Sequence, residues 1–174
     1  MQHTMIVLVE NKPGVLNRVA SLFRRRNFNI ESINAGRTEN PAVSRMTIVV
    51  DSEALDARKV EANLYKLVNV IDVQDVTNQP VVARDLALIK VKANPEQRAE
   101  IANLVAIFRA RIIDVAPESV IVESTGTDDK IESLLELLKP IGILEMVRTG
   151  QVAMMRGEAL GIRHTPGANG NNRL

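Results

Sequence analysis

The sequence has few of the residue types from which active sites are commonly built. Its 174 residues include no cysteine, two histidines and four aromatic residues, three of them Phe and one Tyr. Without cysteine there is no disulfide, thiolate zinc site or cysteine nucleophile. Because His3 and His164 lie near the two ends, a Ser-His-Asp triad or a multi-histidine metal site has almost no material. The scarcity of aromatic side chains disfavours a stacking surface for single-stranded nucleic acid.

An excess of one charge and long apolar runs are also missing. Lysine and arginine number 22 against 21 aspartates and glutamates, and a net charge of +1 provides no overall field to attract nucleic acid or an anionic membrane. No apolar run approaches the roughly 20 residues of a membrane span. The first predicted strand begins at Thr4, which leaves no room for a signal or transit peptide. We therefore expect a cytoplasmic protein, most simply a bacterial one, that binds neither nucleic acid nor a membrane.

What the sequence does contain is one pattern of strands and helices, given twice. In the first half a β-branched apolar run predicts a strand, and apolar residues from Val15 to Phe23 recur at helical spacing. Two strands, a second helix and a closing strand follow. The predicted strands are residues 4–9, 29–37, 43–50 and 70–76, and the predicted buried face of the second helix is Leu55, Val60, Leu64, Leu67 and Val68.

The second half repeats this order. Asn94-Pro95-Glu96-Gln97 predicts a helix start with an N-cap residue, a proline at the first helical position and a glutamine at the capping-box position. Thr127-Asp128-Asp129 opens the other helix. The predicted strands are residues 86–91, 112–115, 120–123 and a final strand from Ile143 toward Ala153.

Two βαββαβ units of about 80 residues predict an α+β fold with tandem ferredoxin-like domains. Asn78-Gln79-Pro80 interrupts the pattern and marks the boundary between them. We therefore place the domains at residues 1–78 and 81–157. Residues 158–174, rich in glycine and asparagine, are expected to form a flexible tail.

The connection from the first strand into the first helix, Asn11 to Leu16, is the most informative segment. Such a short connection directs the unpaired amides of the first helical turn, and the positive end of the helix dipole, toward the space above the sheet. Gly14 permits a close ligand approach that a side chain would obstruct, and Asn11 could cap the helix or bind a ligand. The segment fits either an anion-binding loop or ordinary turn and cap chemistry. It lacks the glycine and lysine spacing of a phosphate loop.

The remaining polar residues form no catalytic constellation. Asn29 begins a predicted strand, where it is either a polar residue at a strand entrance or a contact to a ligand held by a neighbouring chain. The arginines at residues 24–26 are more typical of a solvated helix end than of a nucleic-acid patch. Glu10 and Glu31 could approach each other near the loop, but neither has a partner histidine or metal-ligand spacing. We therefore expect no catalytic residue and no metal site.

Distinctive words occur in both halves of the sequence, in order. They are V-E-N-K-P-G-V-L-N-R-V from Val9, F-N-I-E-S from Phe28, S-R-M-T-I from Ser44, R-D-L-A-L-I-K from Arg84, I-I-D-V from Ile112 and R-T-G from Arg148. Through these words the chain resembles the small regulatory subunits of acetolactate synthase, also called acetohydroxyacid synthase, over roughly Met5 to Gly157.

The resemblance implies that the first domain is an ACT domain. Such a domain would pair with its twin in a homodimer and bind valine, or another branched-chain amino acid, at the interface. The residues implied are Asn11, Gly14, Val15 and Leu16 from one chain and Asn29 and Ile30 from the other. Helix amides would take the carboxylate, and asparagine oxygens the ammonium.

The resemblance also implies a large catalytic subunit that carries thiamine diphosphate, magnesium and FAD. The small subunit would hold no cofactor itself, would raise the activity of the large subunit and would confer feedback inhibition by valine. Two alternatives remain. A free-standing amino-acid sensor would keep the ACT site and control transcription or another enzyme. An enzyme on a ferredoxin-like scaffold would need an acid–base constellation that the sequence does not offer.

Overall fold

The chain folds as an α+β protein in which the order strand, helix, strand, strand, helix, strand occurs twice. The computed structural model describes residues 2–51 and 54–157. The first unit consists of β1 (Gln2–Glu10), α1 (Val15–Arg25), β2 (Asn29–Arg37), β3 (Val43–Asp51), α2 (Ala54–Leu64) and β4 (Val70–Asp75). The second consists of β5 (Val81–Lys92), α3 (Arg98–Ile107), β6 (Arg111–Val115), β7 (Ser119–Gly126), α4 (Asp128–Leu138) and β8 (Ile143–Arg148), and a further strand, β9 (Val152–Met155), follows it.

Both sheets have the strand order of a ferredoxin-like fold, so the predicted fold class is confirmed. The order is β2-β3-β1-β4 in the first unit and β6-β7-β5-β8 in the second, and all neighbouring strands are antiparallel. Because β3 lies between β1 and β2 and runs opposite to both, β1 and β2 run in the same direction. No helix in the described parts of the chain has the length and apolar character that a membrane crossing requires.

The core of the first unit lies between its helices and one face of its sheet. Alternate residues of β1, including Met5 and Val7, are fully buried and share this core with Val19 and Phe23 of α1. The ring of Phe23 meets that of Phe28 edge to face, with centroids 6.2 Å apart. Each such buried side chain contributes about 1.5–3 kcal/mol relative to an exposed one. The second unit repeats this arrangement with α3 and α4 against its own sheet.

The second helix is shorter than its apolar pattern predicts. Val60 and Leu64 are buried and Leu67 is half-buried. Val68, predicted to be buried, is 92% exposed. The prediction is wrong there because α2 ends at Leu64, so the helical spacing does not continue to Val68. The side chain of Leu55 lies outside the described residues, as does the predicted tail at residues 158–174.

The helix starts in the second unit follow their sequence signals. The amide of Gln97 donates to Asn94 Oδ1 at 2.9 Å, and the amide of Asn94 donates to Gln97 Oε1 at 3.2 Å. This reciprocal pair has the hydrogen bonds of the predicted capping box, but it closes the turn before the helix, because the N-cap residue of α3 is Gln97 and not the predicted Asn94. The regular helix begins at Arg98, so Pro95 lies in the turn that precedes α3 rather than at its first residue. Thr127 is the N-cap of α4, as predicted.

The predicted final strand from Ile143 toward Ala153 is instead two strands. Gly150, with a φ of 80°, breaks the run between β8 and β9. A Cβ at Gly150 would lie 2.7 Å from Cβ of Ser32, so the connection passes close against β2. The two strands pair with different parts of β5, whose beginning at Val81 is five residues earlier than the predicted Leu86.

Residues Val81–Arg84 and β9 form a two-stranded ribbon that covers the second face of the first sheet. Ala153 of the ribbon is buried in a cluster with Ile6 of β1 and Val76. The guanidinium of Arg45 donates to the carbonyl of Ala153 at 2.8 Å. The ribbon explains why β1 is apolar on both faces: Ile6 points away from the helices and is still only 2% exposed.

Arg148, at the end of β8, joins three elements of the second unit. Its guanidinium pairs with Asp128 at 2.6 Å and with Glu132 at 2.5 Å, both on α4, and with the buried Asp85 of β5. Burial acts to lower the pKa of Arg148, but hydrogen bonds to Asp128 and Asp85 outweigh it and raise that pKa above its ordinary value. Arg148 therefore stays charged and holds β8, β5 and α4 together.

Candidate functional site

The loop between β1 and α1 presents free backbone amides at the start of a helix. Gly14 is the N-cap residue and has the left-handed conformation, with φ of 80° and ψ of −5°. Among the described residues, no acceptor is found for the amides of Leu16 and Asn17. No acidic side chain occupies the first turn of α1. Since unpaired amides and the helix dipole favour an anion, this end of α1 is suited to a carboxylate.

Asn11 does not cap the helix. Its backbone amide donates to the carbonyl of Ala42 at 2.8 Å, and its Nδ2 donates to the carbonyl of Pro41 at 2.9 Å. These two bonds fix the side-chain amide against the loop before β3. Within the described structure Oδ1 of Asn11 has no donor, so it is available to accept a hydrogen bond from a ligand such as an ammonium group.

Glu10 and Lys12, which flank Asn11, form an ion pair with each other. Glu10 Oε2 accepts from Asn69 Nδ2 at 2.6 Å and pairs with Lys12 Nζ at 3.0 Å. The hydrogen bonds from Asn69 and Lys12 lower the pKa of Glu10 below its ordinary value. Glu10 is therefore ionised at neutral pH and compensates the charge of Lys12. The positive end of α1 remains as the uncompensated feature of the loop.

A cavity of about 200 Å³ lies beside the loop. Asn11, Val15 and Leu16 line it from the loop and helix, and Ala35, Gly36 and Arg37 line it from β2. Leu16 is 48% exposed, so an apolar surface is open to a ligand. The β2 residues were missed by sequence reasoning, because the strand that lies beside the loop depends on the order of strands in the sheet.

The six residues predicted for the site lie at two ends of the sheet. Strand register places Arg37 of β2 level with Val9, next to the loop, and places Asn29 level with Gln2 at the opposite end. Along β1, the seven residue steps from Gln2 to Val9 span about 23 Å. Asn11, Gly14, Val15 and Leu16 thus lie together, whereas Asn29 and Ile30 are remote from them within one chain.

The same register separates two carboxylates that were expected to approach each other. Glu10 ends β1 at the loop, and Glu31 lies near the start of β2, where its Oε1 accepts from Asn29 Nδ2 at 2.6 Å. Within one chain the two carboxylates do not come together, because β1 and β2 run in the same direction. In the described residues no group of three or more His, Cys, Asp or Glu is placed to hold a metal ion.

The fold and the loop define a protein of two βαββαβ units, the first with an ACT-like architecture. Residues 5–72 match the family model described as an AHAS small subunit-like ACT domain, and residues 84–157 match that of the small subunit of acetolactate synthase. The chain belongs to the family of acetolactate synthase small subunits.

Individual relatives agree along almost their whole length. The chain is 53% identical to a probable acetolactate synthase small subunit from Archaeoglobus fulgidus, over 90% of this chain and 98% of the relative. It is 47% identical to the acetolactate synthase small subunit of Bacillus subtilis, over 90% and 92%. The crystal structure of the acetolactate synthase small subunit from Thermotoga maritima superposes with a TM-score of 0.84 at 43% identity, covering 90% of this chain and 98% of that one.

Proposed function

We propose that this chain is a cytoplasmic regulatory subunit that activates the large catalytic subunit of acetolactate synthase and makes it subject to feedback inhibition by valine. Membership of the small-subunit family supports the role in branched-chain amino-acid biosynthesis. The reaction itself belongs to the large subunit, which would carry thiamine diphosphate, magnesium and FAD. This chain would bind valine and transmit its presence.

The observation that carries the proposal is that the predicted valine-binding residues fall into two groups. Asn11 to Leu16 lie at one end of the sheet, and Asn29 and Ile30 of β2 lie at the other. In the described structure β2 is an edge strand, with β3 on one side and no strand on the other. If β2 pairs antiparallel with β2 of a second copy around Ile33, residue 29 of one copy lies near Gly36 and Arg37 of the other, since β2 has one register shift between Ile30 and Ser32. Two-fold pairing would thus bring Asn29 and Ile30 of the partner subunit to the Asn11–Leu16 loop. A homodimer would hold two such sites.

The groups at such a site match the chemistry of valine. The amides of Leu16 and Asn17 would hold the carboxylate. Asn11 Oδ1, together with the side-chain oxygen of Asn29 of the partner subunit, would accept hydrogen bonds from the ammonium group. Leu16 and Ile30 of the partner subunit would enclose the isopropyl group. Other branched-chain amino acids have the same carboxylate and ammonium groups as valine and differ from it only in the apolar side chain.

Inhibition would follow from the position of valine between two subunits. A ligand that bridges two chains favours the dimer arrangement in which both halves of its site fit it best. Valine must bind the activating and the inhibited arrangements with different affinity, and a coupling of about 1–3 kcal/mol is typical.

A titration of the purified large subunit with this chain tests the proposal. The rate of acetolactate formation from pyruvate should rise to a plateau, and valine should lower that plateau without affecting the large subunit alone. No stimulation at any ratio of the two chains would contradict the regulatory-subunit assignment. If valine still bound in that case, the chain would be a free-standing sensor.

A further inference from the structure

A groove of about 440 Å³ runs between α1 and the end of α2, outside the proposed valine site. It is the concave part of the helical face of the first unit. The residues that line it are Asn17, Arg18, Ser21, Leu22, Arg25, Arg26, Asn63, Lys66 and Leu67. Four of the nine are cations and none is an acid, although the whole chain has a net charge of only +1.

Three of the four cations of this groove are held by neutral amides and not by carboxylates. Arg18 Nη1 donates to Asn69 Oδ1 at 2.6 Å. Arg26 Nη2 and Lys66 Nζ both donate to Asn63 Oδ1, each at 3.2 Å. In the described structure none of the four cations forms an ion pair. No described carboxylate therefore contacts them directly, and the nearest such link is from Arg18 through Asn69 to Glu10.

Asn63 brings two of these charges together. It is only 8% exposed, and its Nδ2 donates to the carbonyl of Lys59 at 2.6 Å, which points Oδ1 at the two cations. Since each cation lies 3.2 Å from the same oxygen, the nitrogens of Arg26 and Lys66 are at most 6.4 Å apart. Two like charges this close repel each other unless an anion lies near both. The arrangement is suited to binding an anionic group.

The floor of the groove is apolar, so a ligand that fills the groove needs apolar groups as well as negative charge. Leu22 and Leu67 are half-buried and face the space between the helices. A simple inorganic anion would leave them uncovered, whereas a polypeptide with alternating acidic and apolar side chains would pair with the rim and cover the floor. The acidic helix of a second copy fits less well, because Asp128 and Glu132 of α4 are already paired with Arg148.

We propose that this groove docks an acidic amphipathic segment of the large catalytic subunit. The inference rests on the proposed function, since it names the surface through which the two subunits associate. The cations would accelerate association and set its orientation, and the leucines would supply the apolar contact. Valine would then bind at one end of α1 while the catalytic subunit contacts the face of the same helix.

Two adjacent arginines provide a matched test. Arg24 and Arg25 both lie exposed in the last turn of α1, and neither side chain forms a hydrogen bond or ion pair with a described residue. Only Arg25 lines the groove. Arg25→Glu should weaken binding of the large subunit at least about tenfold, and the control Arg24→Glu less than about threefold. Isothermal titration calorimetry of each full-length variant with the large subunit measures both.

A third variant and a salt titration test the groove assignment further. Lys66→Glu, on the α2 side, should weaken the same association, while circular dichroism and valine binding remain unchanged in all variants. Raising the salt concentration should weaken binding of the wild type more than that of Arg25→Glu. If the wild type does not bind the large subunit, the proposed function fails and the groove assignment with it. If the wild type binds and both arginine variants bind alike, only the groove assignment is wrong. A loss of self-association or of nucleic-acid binding in place of large-subunit binding would also overturn it.

Discussion

At the scale of single residues, Gly14 has the greatest influence on the proposed valine site. Its left-handed backbone turns the chain into α1, and apart from its two chain neighbours no described residue lies within 4 Å of the position a Cβ would take. A side chain therefore fits without a collision, and its main cost is the backbone conformation, of order 1–3 kcal/mol for residues that disfavour it. Asn and Asp are the residues that tolerate this conformation best after glycine.

Because both Asn and Asp tolerate this conformation, two substitutions at Gly14 can distinguish the effect of an added charge from the effect of an added side chain. Gly14→Asp places a carboxylate at the start of α1, where the carboxylate of valine is expected, and should weaken valine binding at least about tenfold through repulsion. Gly14→Asn has nearly the same size and backbone preference but no charge, and should retain most of the affinity. Calorimetry with valine measures the difference. An equal loss in both variants would contradict an anion site at this position.

At the scale of helices and strands, the elements with local signals could be predicted from the sequence. The bounds of β2, Asn29–Arg37, were predicted correctly, because a helix end and an Asn-Pro turn enclose it. The capping box at Asn94 and Gln97 was predicted because its hydrogen bonds join residues three apart. The boundary between the units at residues 78–80 stays a prediction.

Elements that depend on distant partners could not be predicted. The ribbon pairs Val81 with Met155, and neither of its short strands is stable alone. The β2 residues beside the loop, Ala35 to Arg37, reach it only through the strand order of the sheet. Only the family resemblance points to Asn29 and Ile30, since nothing local to them indicates where the other half of the site lies.

The two faces of the ribbon differ in exposure, and this difference can be tested by substitution. Ala153 is 5% exposed and packs in the cluster with Ile6, whereas the next residue, Met154, is 63% exposed. Ala153→Asp would bury a charge without a partner and should destabilise the protein by more than about 2 kcal/mol. Met154→Asp should change stability by less than about 0.5 kcal/mol. Urea unfolding followed by circular dichroism compares them, and equal effects would mean that the ribbon does not seal the sheet.

At the scale of the whole molecule, an almost neutral chain has a strongly uneven distribution of charge. The groove between α1 and α2 is basic, whereas Asp128 and Glu132 of α4 and Asp85 of β5 surround Arg148 in the second unit. The net charge of +1 therefore conceals a cationic face whose four cations form no ion pair with a described residue. Such a face is a cost to an isolated subunit and an advantage to one that works in a complex.

The proposed dimer can be tested by mixing two defective variants. Gly14→Asp damages the loop half of each site, and Asn29→Ala damages the half contributed by the partner, so each variant alone should bind valine weakly. In a mixed dimer, the loop of the Asn29→Ala chain meets the intact Asn29 of the Gly14→Asp chain, which restores one site and leaves the other doubly defective. Random exchange at equal amounts should therefore recover about a quarter of the wild-type sites, measured as calorimetric stoichiometry. If both halves of the site came from one chain, mixing would restore none, because no chain in the mixture carries an intact pair.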